Sequence, residues 1–149
     1  MGECLAFPAN IKGDDSPLMP EGNYQMTYVS HSTYMFMGRQ PKVAIYFRIV
    51  EPGDYFEIVL PGYYNVLNFI GKRGKSGSFK VAKRSNLARD YCRVFPTDPI
   101  PRLDRLPLSK LGNVIIQGTV ETVKKGFDQR EIPEAVRYSK VLTIELYQF

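Results

Sequence analysis

The sequence contains no tryptophan, one histidine (His31) and two cysteines, Cys4 and Cys92. Each scarcity closes off a class of chemistry. The cysteines are far apart and match neither a zinc nor a redox spacing, and one histidine cannot complete a Cys/His metal set, so no metal and no cofactor are expected. A reduced, intracellular chain is the simpler reading of such cysteine usage. Also missing is any apolar run long enough to span a bilayer. The stretch Met1 to Leu5 carries Glu3 and no basic residue, and Pro8 and Asn10 cut the apolar stretch short, so no secretory leader is expected. These absences together predict a soluble, cytoplasmic protein with no membrane partner.

Catalytic patterns are missing too. No Gly-x-Ser-x-Gly is present, and the acids are scattered without a distinctive pair. The run Gly71-Lys72-Arg73-Gly74-Lys75-Ser76 ends like a phosphate loop but is two residues too short, and the helix predicted after it starts about ten residues on instead of directly. A non-enzymatic role is expected.

Aromatic residues and localised positive charge are plentiful. Ten tyrosines and nine phenylalanines make the chain 13% aromatic, and the formal charge is +5. Between Gly71 and Arg93 lie eight cations (Lys72, Arg73, Lys75, Lys80, Lys83, Arg84, Arg89, Arg93) and one acid, Asp90. That segment is +7, so the remainder sums to −2. The positive field therefore has a single source, of the kind that steers polyanions and releases their counterions.

The 149 residues suit one domain. Residues 1–20, rich in glycine, proline and aspartate, read as a flexible N-terminal arm, and residues 21–149 as a single domain. Alternation over 23–30, an aromatic extended piece over 33–37 that either continues this first strand past a bend or stands by itself, and strict alternation over 42–50 predict strands. In the last of these, Val43, Ile45, Phe47 and Ile49 share one face, and Ala44, Tyr46 and Arg48 the other. Glu51-Pro52-Gly53-Asp54 predicts a turn, and 55–60 a returning strand interrupted by Pro61-Gly62. A glycine-rich loop over 71–78 leads to a short extended piece at 79–82 and a helix over 86–95 capped by Ser85. Prolines punctuate 96–108, and strands are predicted over 113–123, with a bulge or bend at Gly118, and over 136–147. Three strands, a helix and two strands give a mainly β fold, a five-stranded Greek-key barrel of the oligonucleotide-binding kind with one helix between its third and fourth strands. An open β-sandwich with an inserted helix is the alternative.

The basic loop is the strongest functional signal. Lys72, Arg73, Lys75, Lys80, Lys83 and Arg84 sit among glycines that allow a backbone to approach phosphates, and Phe69 and Phe79 flank the loop. Phe79, together with Tyr46, Tyr63 and Tyr64 of the second and third strands, is expected to offer stacking faces, each worth roughly 1–3 kcal/mol per base. Arg48 shares the face of Tyr46, and Arg39 and Lys42 flank the turn into that strand. The expected ligand is single-stranded nucleic acid. A protein-assembly module using its aromatic face as an oligomer seam is the alternative from a different class.

The order Pro20-Glu21-Gly22-x-Tyr24, the strand pair Val43 to Leu60, Leu111-Gly112-Asn113-Val114 and Tyr138-Ser139-x-Val141 resemble the small OB-fold single-stranded-DNA-binding proteins of phages and integrating mobile elements. The resemblance covers about residue 20 to the end. It implies coating of single-stranded DNA (RNA being a related ligand) during replication or recombination in a bacterial cytoplasm, as a homo-oligomer beside replication or recombination proteins. Many of those proteins end in an acidic tail with a terminal Phe. Here Phe149 comes after a predicted strand carrying one acid, Glu145, so recruitment through the tail is not implied.

Overall fold

The computed structural model describes residues 18–98, 100, 102–126, 129–134 and 137–148. The arm expected over 1–20 falls almost wholly outside them, as do Cys4 and Phe149. Strands β1 (Gly22–Phe36), β2 (Gln40–Ile49), β3 (Val59–Asn65), β6 (Ile116–Val123) and β7 (Tyr138–Leu146) form one antiparallel sheet in the order β3-β2-β1-β6-β7. A second ladder pairs two short strands, β4 (Asn68–Ile70) and β5 (Ser78–Lys80). Helix α1 (Asn86–Val94) lies between β5 and β6 and is followed by a 3-10 helix, Leu108–Asn113. The fold is mainly β, as the periodicity predicts. No ladder joins the edge strands β3 and β7, so the sheet is not closed by hydrogen bonds.

The core follows the alternation of β2. Val43, Ile45, Phe47 and Ile49 are buried on one face, with Met26 of β1, Leu60 of β3, Ile116 and Val120 of β6 and Val141 and Ile144 of β7. Each such side chain gains roughly 1.5–3 kcal/mol from leaving water. Ser85 caps α1 as expected, its hydroxyl accepting from the Ala88 amide at 3.2 Å, and Leu87, Tyr91 and Val94 form the buried stripe.

The first two extended pieces are one strand continued past an irregularity, a bulge at Val29 that absorbs the break in alternation between Tyr28 and Ser30. Two local expectations need correction. The third strand does not stop at Pro61-Gly62 but begins at Val59 and runs through both. Proline is tolerated because β3 is an edge strand with a side that needs no donor. At Gly62 a β-carbon would stand 3.3 Å from the Phe47 ring and 3.4 Å from the Val141 carbonyl oxygen, so β3 passes close to β7 here. Finally, the bulge of the late hairpin is in its second strand, at Leu142, which is left unpaired between Thr143 opposite Thr119 and Val141 opposite Val120. Gly118 serves a different purpose, since a β-carbon there would overlap the Met26 sulfur.

Helix α1 is held to the sheet by a buried polar group. Asp90, the one acid of the basic segment, turns inward. It accepts from the Tyr64 hydroxyl at 2.8 Å and from Arg93 at 2.9 Å. Burial pushes the Asp90 carboxyl above its ordinary value, and the Tyr64 and Arg93 donors oppose that shift. Replacing Tyr64 with Phe leaves a buried carboxylate oxygen short of a donor. The expected loss is about 1–3 kcal/mol in urea unfolding, and an unchanged midpoint and slope would sink this account.

Candidate nucleic-acid interface

The basic loop is the tip of the β4–β5 hairpin, and it is fastened to the edge of β1 that faces away from β2. The Thr33 amide donates to the Gly74 carbonyl at 2.9 Å, the Gly74 amide to the Thr33 hydroxyl at 2.9 Å, and the Ser76 amide to the His31 carbonyl at 2.9 Å. Local sequence permits this clasp. Gly74 and Ser76 have φ of +131° and +57°. Gly77 packs so tightly that a β-carbon would run into the Thr33 hydroxyl. The sequence marks this segment as glycine-rich, but only the fold shows what the glycines are for.

The lone histidine completes the clasp. Its Nε2 is 3.0 Å from the Gly77 carbonyl and its Nδ1 is 2.8 Å from the Tyr28 hydroxyl, which fits a neutral ring donating from Nε2 and accepting at Nδ1. Burial holds its pKa below 6.5, against an opposing pull from the Gly77 carbonyl. The native state therefore binds fewer protons than the unfolded chain between the lowered pKa and 6.5, and stability is lost as pH falls through that window. A His31→Gln variant is expected to have a flatter melting-temperature profile between about pH 7.5 and pH 5 than the wild type. Parallel profiles would refute this.

Lys72, Arg73, Lys75 and Lys80 are all exposed or part-exposed, and none forms an ion pair among the described residues. Elsewhere Lys110, Arg102, Arg137 and Lys140 are each matched with an acid. Lys83 and Arg84 are likewise exposed and without an ion pair among the described residues, but they lie in the turn between β5 and α1. The continuous strip of the sequence is thus divided into a hairpin part and a helix-entry part.

A second group forms on the outer face of β1–β3. Tyr63 lies opposite the buried Ala44 in the ladder, and its ring meets that of Tyr34 edge-on at a centroid distance of 6.4 Å. Burial, and then the neighbouring phenols of Tyr138, Tyr34 and Tyr46, push the Tyr63 phenol far above its ordinary value. Tyr34 is raised by burial and by Tyr46 and Tyr138. All four rings are half-buried, which leaves part of each at the surface. Lys42, opposite Tyr34, holds its ammonium 4.8 Å over the Phe36 ring, and burial and Lys140 lower its pKa. Arg48 is exposed on the same face of β2, and Arg39 is exposed at the β1–β2 turn, where Met37 and Gly38 adopt left-handed φ of 53° and 71°.

Two expected stacking residues are not available on the surface. Phe79 is 5% exposed, because pairing with Phe69 across the β4–β5 ladder turns both rings inward. Tyr64 is 4% exposed and committed to Asp90, because the β3 alternation places it opposite Val43 on the core face. Sequence reasoning missed Tyr34 and Tyr138. The alternation Ser30, Ser32, Tyr34, Phe36 carries the signal for the first. Tyr138 had no such signal, because it joins the group through the approach of β7 to β3.

Among the described residues no set of three or more His, Cys, Asp or Glu side chains is arranged to hold a metal ion, and no helix is long and apolar enough to cross a membrane. The architecture defines a mainly β protein with a five-stranded antiparallel sheet. No family model, curated protein or solved structure matches the chain.

Proposed function

We propose that this protein binds single-stranded nucleic acid, DNA in the first instance, without catalysing a reaction on it. The strand runs along the tyrosine-bearing outer face of β1–β3, with its phosphates met by the clasped hairpin tip. One observation carries the reading. The unmatched cations Lys72, Arg73 and Lys75 belong to a tip tied to β1 at residues 31–33, next to Tyr34 in the same strand. Unmatched cations and part-exposed rings are thus carried on the same strand, a pairing of groups that suits sequence-tolerant single-strand binding. The outer face of β6 and β7 differs. There Gln117 donates to Glu145 and Lys140 pairs with Glu121, so polar groups satisfy one another.

The strand order supports the finer assignment to an oligonucleotide-binding barrel, in which β3 and β7 would be the closing pair. Coating of single strands in the replication or recombination of a phage or mobile element is the corresponding cellular role.

The test is a fluorescence titration with labelled oligo-dT, the matching duplex and the matching RNA over a range of salt. Binding to oligo-dT should weaken by about 0.7 log units per log unit of salt for each phosphate neutralised. No binding at low salt would end the proposal, and equal affinity for duplex would remove the stacking half of it.

A further inference from the structure

We propose that the chain associates head to tail with a second copy of itself, Phe56 of one molecule seating against Ile70 of the next. This goes beyond nucleic-acid binding and does not depend on it.

The first surface is the turn between β2 and β3. It is built firmly. The Val50 amide donates to the Gln25 carbonyl at 3.0 Å, the Glu57 amide to the Ile49 carbonyl at 2.8 Å, and the Ile49 amide to the Ile58 carbonyl at 2.8 Å. Tyr55 packs edge-on against Tyr24 at 6.3 Å, and Ile58 packs on the core. Phe56, between them, is left 51% exposed. Its charged neighbours Asp54 and Glu57 pair with no cation among the described residues. Arg48 lies opposite Val59, at the root of the turn and not at its tip.

The second surface is the outward side of the β4–β5 hairpin. Phe69 and Phe79 face inward, so alternation turns Ile70 outward, where it is 41% exposed. Phosphate contact makes no use of this aliphatic side chain. The cations of the same hairpin near it in sequence or across the ladder are Lys72, Arg73 and Lys80, again unmatched among the described residues.

The two surfaces are complementary in both respects: each offers exposed apolar area, ringed by charge of opposite sign. They cannot meet within one molecule. The acidic turn is anchored to β1 at Gln25, and the basic hairpin at His31 to Thr33 on the other edge of that strand. Roughly 20 Å of strand separates the anchors. A contact between unlike surfaces on two copies is heterologous, so it leaves one free end of each kind and can repeat. The tyrosine group takes no part in it.

Sedimentation velocity of the protein alone, at low salt and rising concentration, tests this. The wild type should sediment faster as concentration rises, and added salt should reverse the effect. Phe56→Ser and Ile70→Ser should each remain monomeric. Because each keeps one intact surface, their equimolar mixture should form pairs and nothing larger. Asp54→Lys and Lys72→Glu form a second set, read the same way, should either serine variant lose its wild-type melting temperature. A wild type that stays monomeric up to about 1 mM, single variants that associate like the wild type, or a mixture that forms no pairs would each overturn the proposal. No nucleic acid is present, so its failure is distinct from a failure to bind oligo-dT.

Discussion

Replacing Lys72, Arg73 and Lys75 together with alanine is expected to weaken oligo-dT binding about 100-fold at about 0.1 M salt. The figure comes from counterion release, which gives about 0.7 log units per phosphate contact per log unit of salt, so three contacts carry about two. The salt slope should shrink by the same two units, and melting temperature should stay put. These side chains make no ion pair among the described residues, so the fold gives up nothing when they are shortened. Loss of affinity with an unchanged slope would mean that the three residues act otherwise than on phosphates. An unchanged affinity would remove the hairpin from the site.

Gly77→Ala tests position without touching charge. The added β-carbon would meet the Thr33 hydroxyl and come within 3.0 Å of the Gly74 carbonyl oxygen, so the clasp must open. Overpacking of this kind costs about 1–3 kcal/mol, readable as a lower urea midpoint. The cations are all still present, so the salt slope should be kept. Binding must now order a loosened tip, at about 0.5–1.5 kcal/mol per immobilised side chain, which amounts to roughly a tenfold loss of affinity. Hydrogen exchange should show the Thr33 and Ser76 amides losing protection, since their acceptors belong to the clasp. If slope falls with affinity, the loop acts only as a reservoir of charge.

Much of the architecture could be read from local pattern. The alternation of Val43, Ile45, Phe47 and Ile49 marks the core face of β2, and Ser85 before a spaced Leu87, Tyr91 and Val94 marks the helix. Those signals are legible because each depends on residues close in the chain. The bulge at Val29 and the passage of β3 through Pro61 were not, because both depend on what the partner strand tolerates. The same division explains the stacking residues. Tyr46 and Tyr63 sit on the outer face, whereas Phe79 and Tyr64 have the same aromatic character and alternate to the inner one.

By itself the sequence determined that positive charge is concentrated between Gly71 and Arg93 and that the chain is β-rich with one capped helix. It carries these facts because composition, charge and short-range periodicity are local quantities. Only the tertiary structure decided that Asp90 turns inward, that the loop is clasped to β1 at His31 to Thr33, and that Tyr138 joins rings from three other strands. Those outcomes rest on contacts between residues tens of positions apart, where hydrogen-bond geometry and close packing choose among many arrangements that the local pattern allows equally.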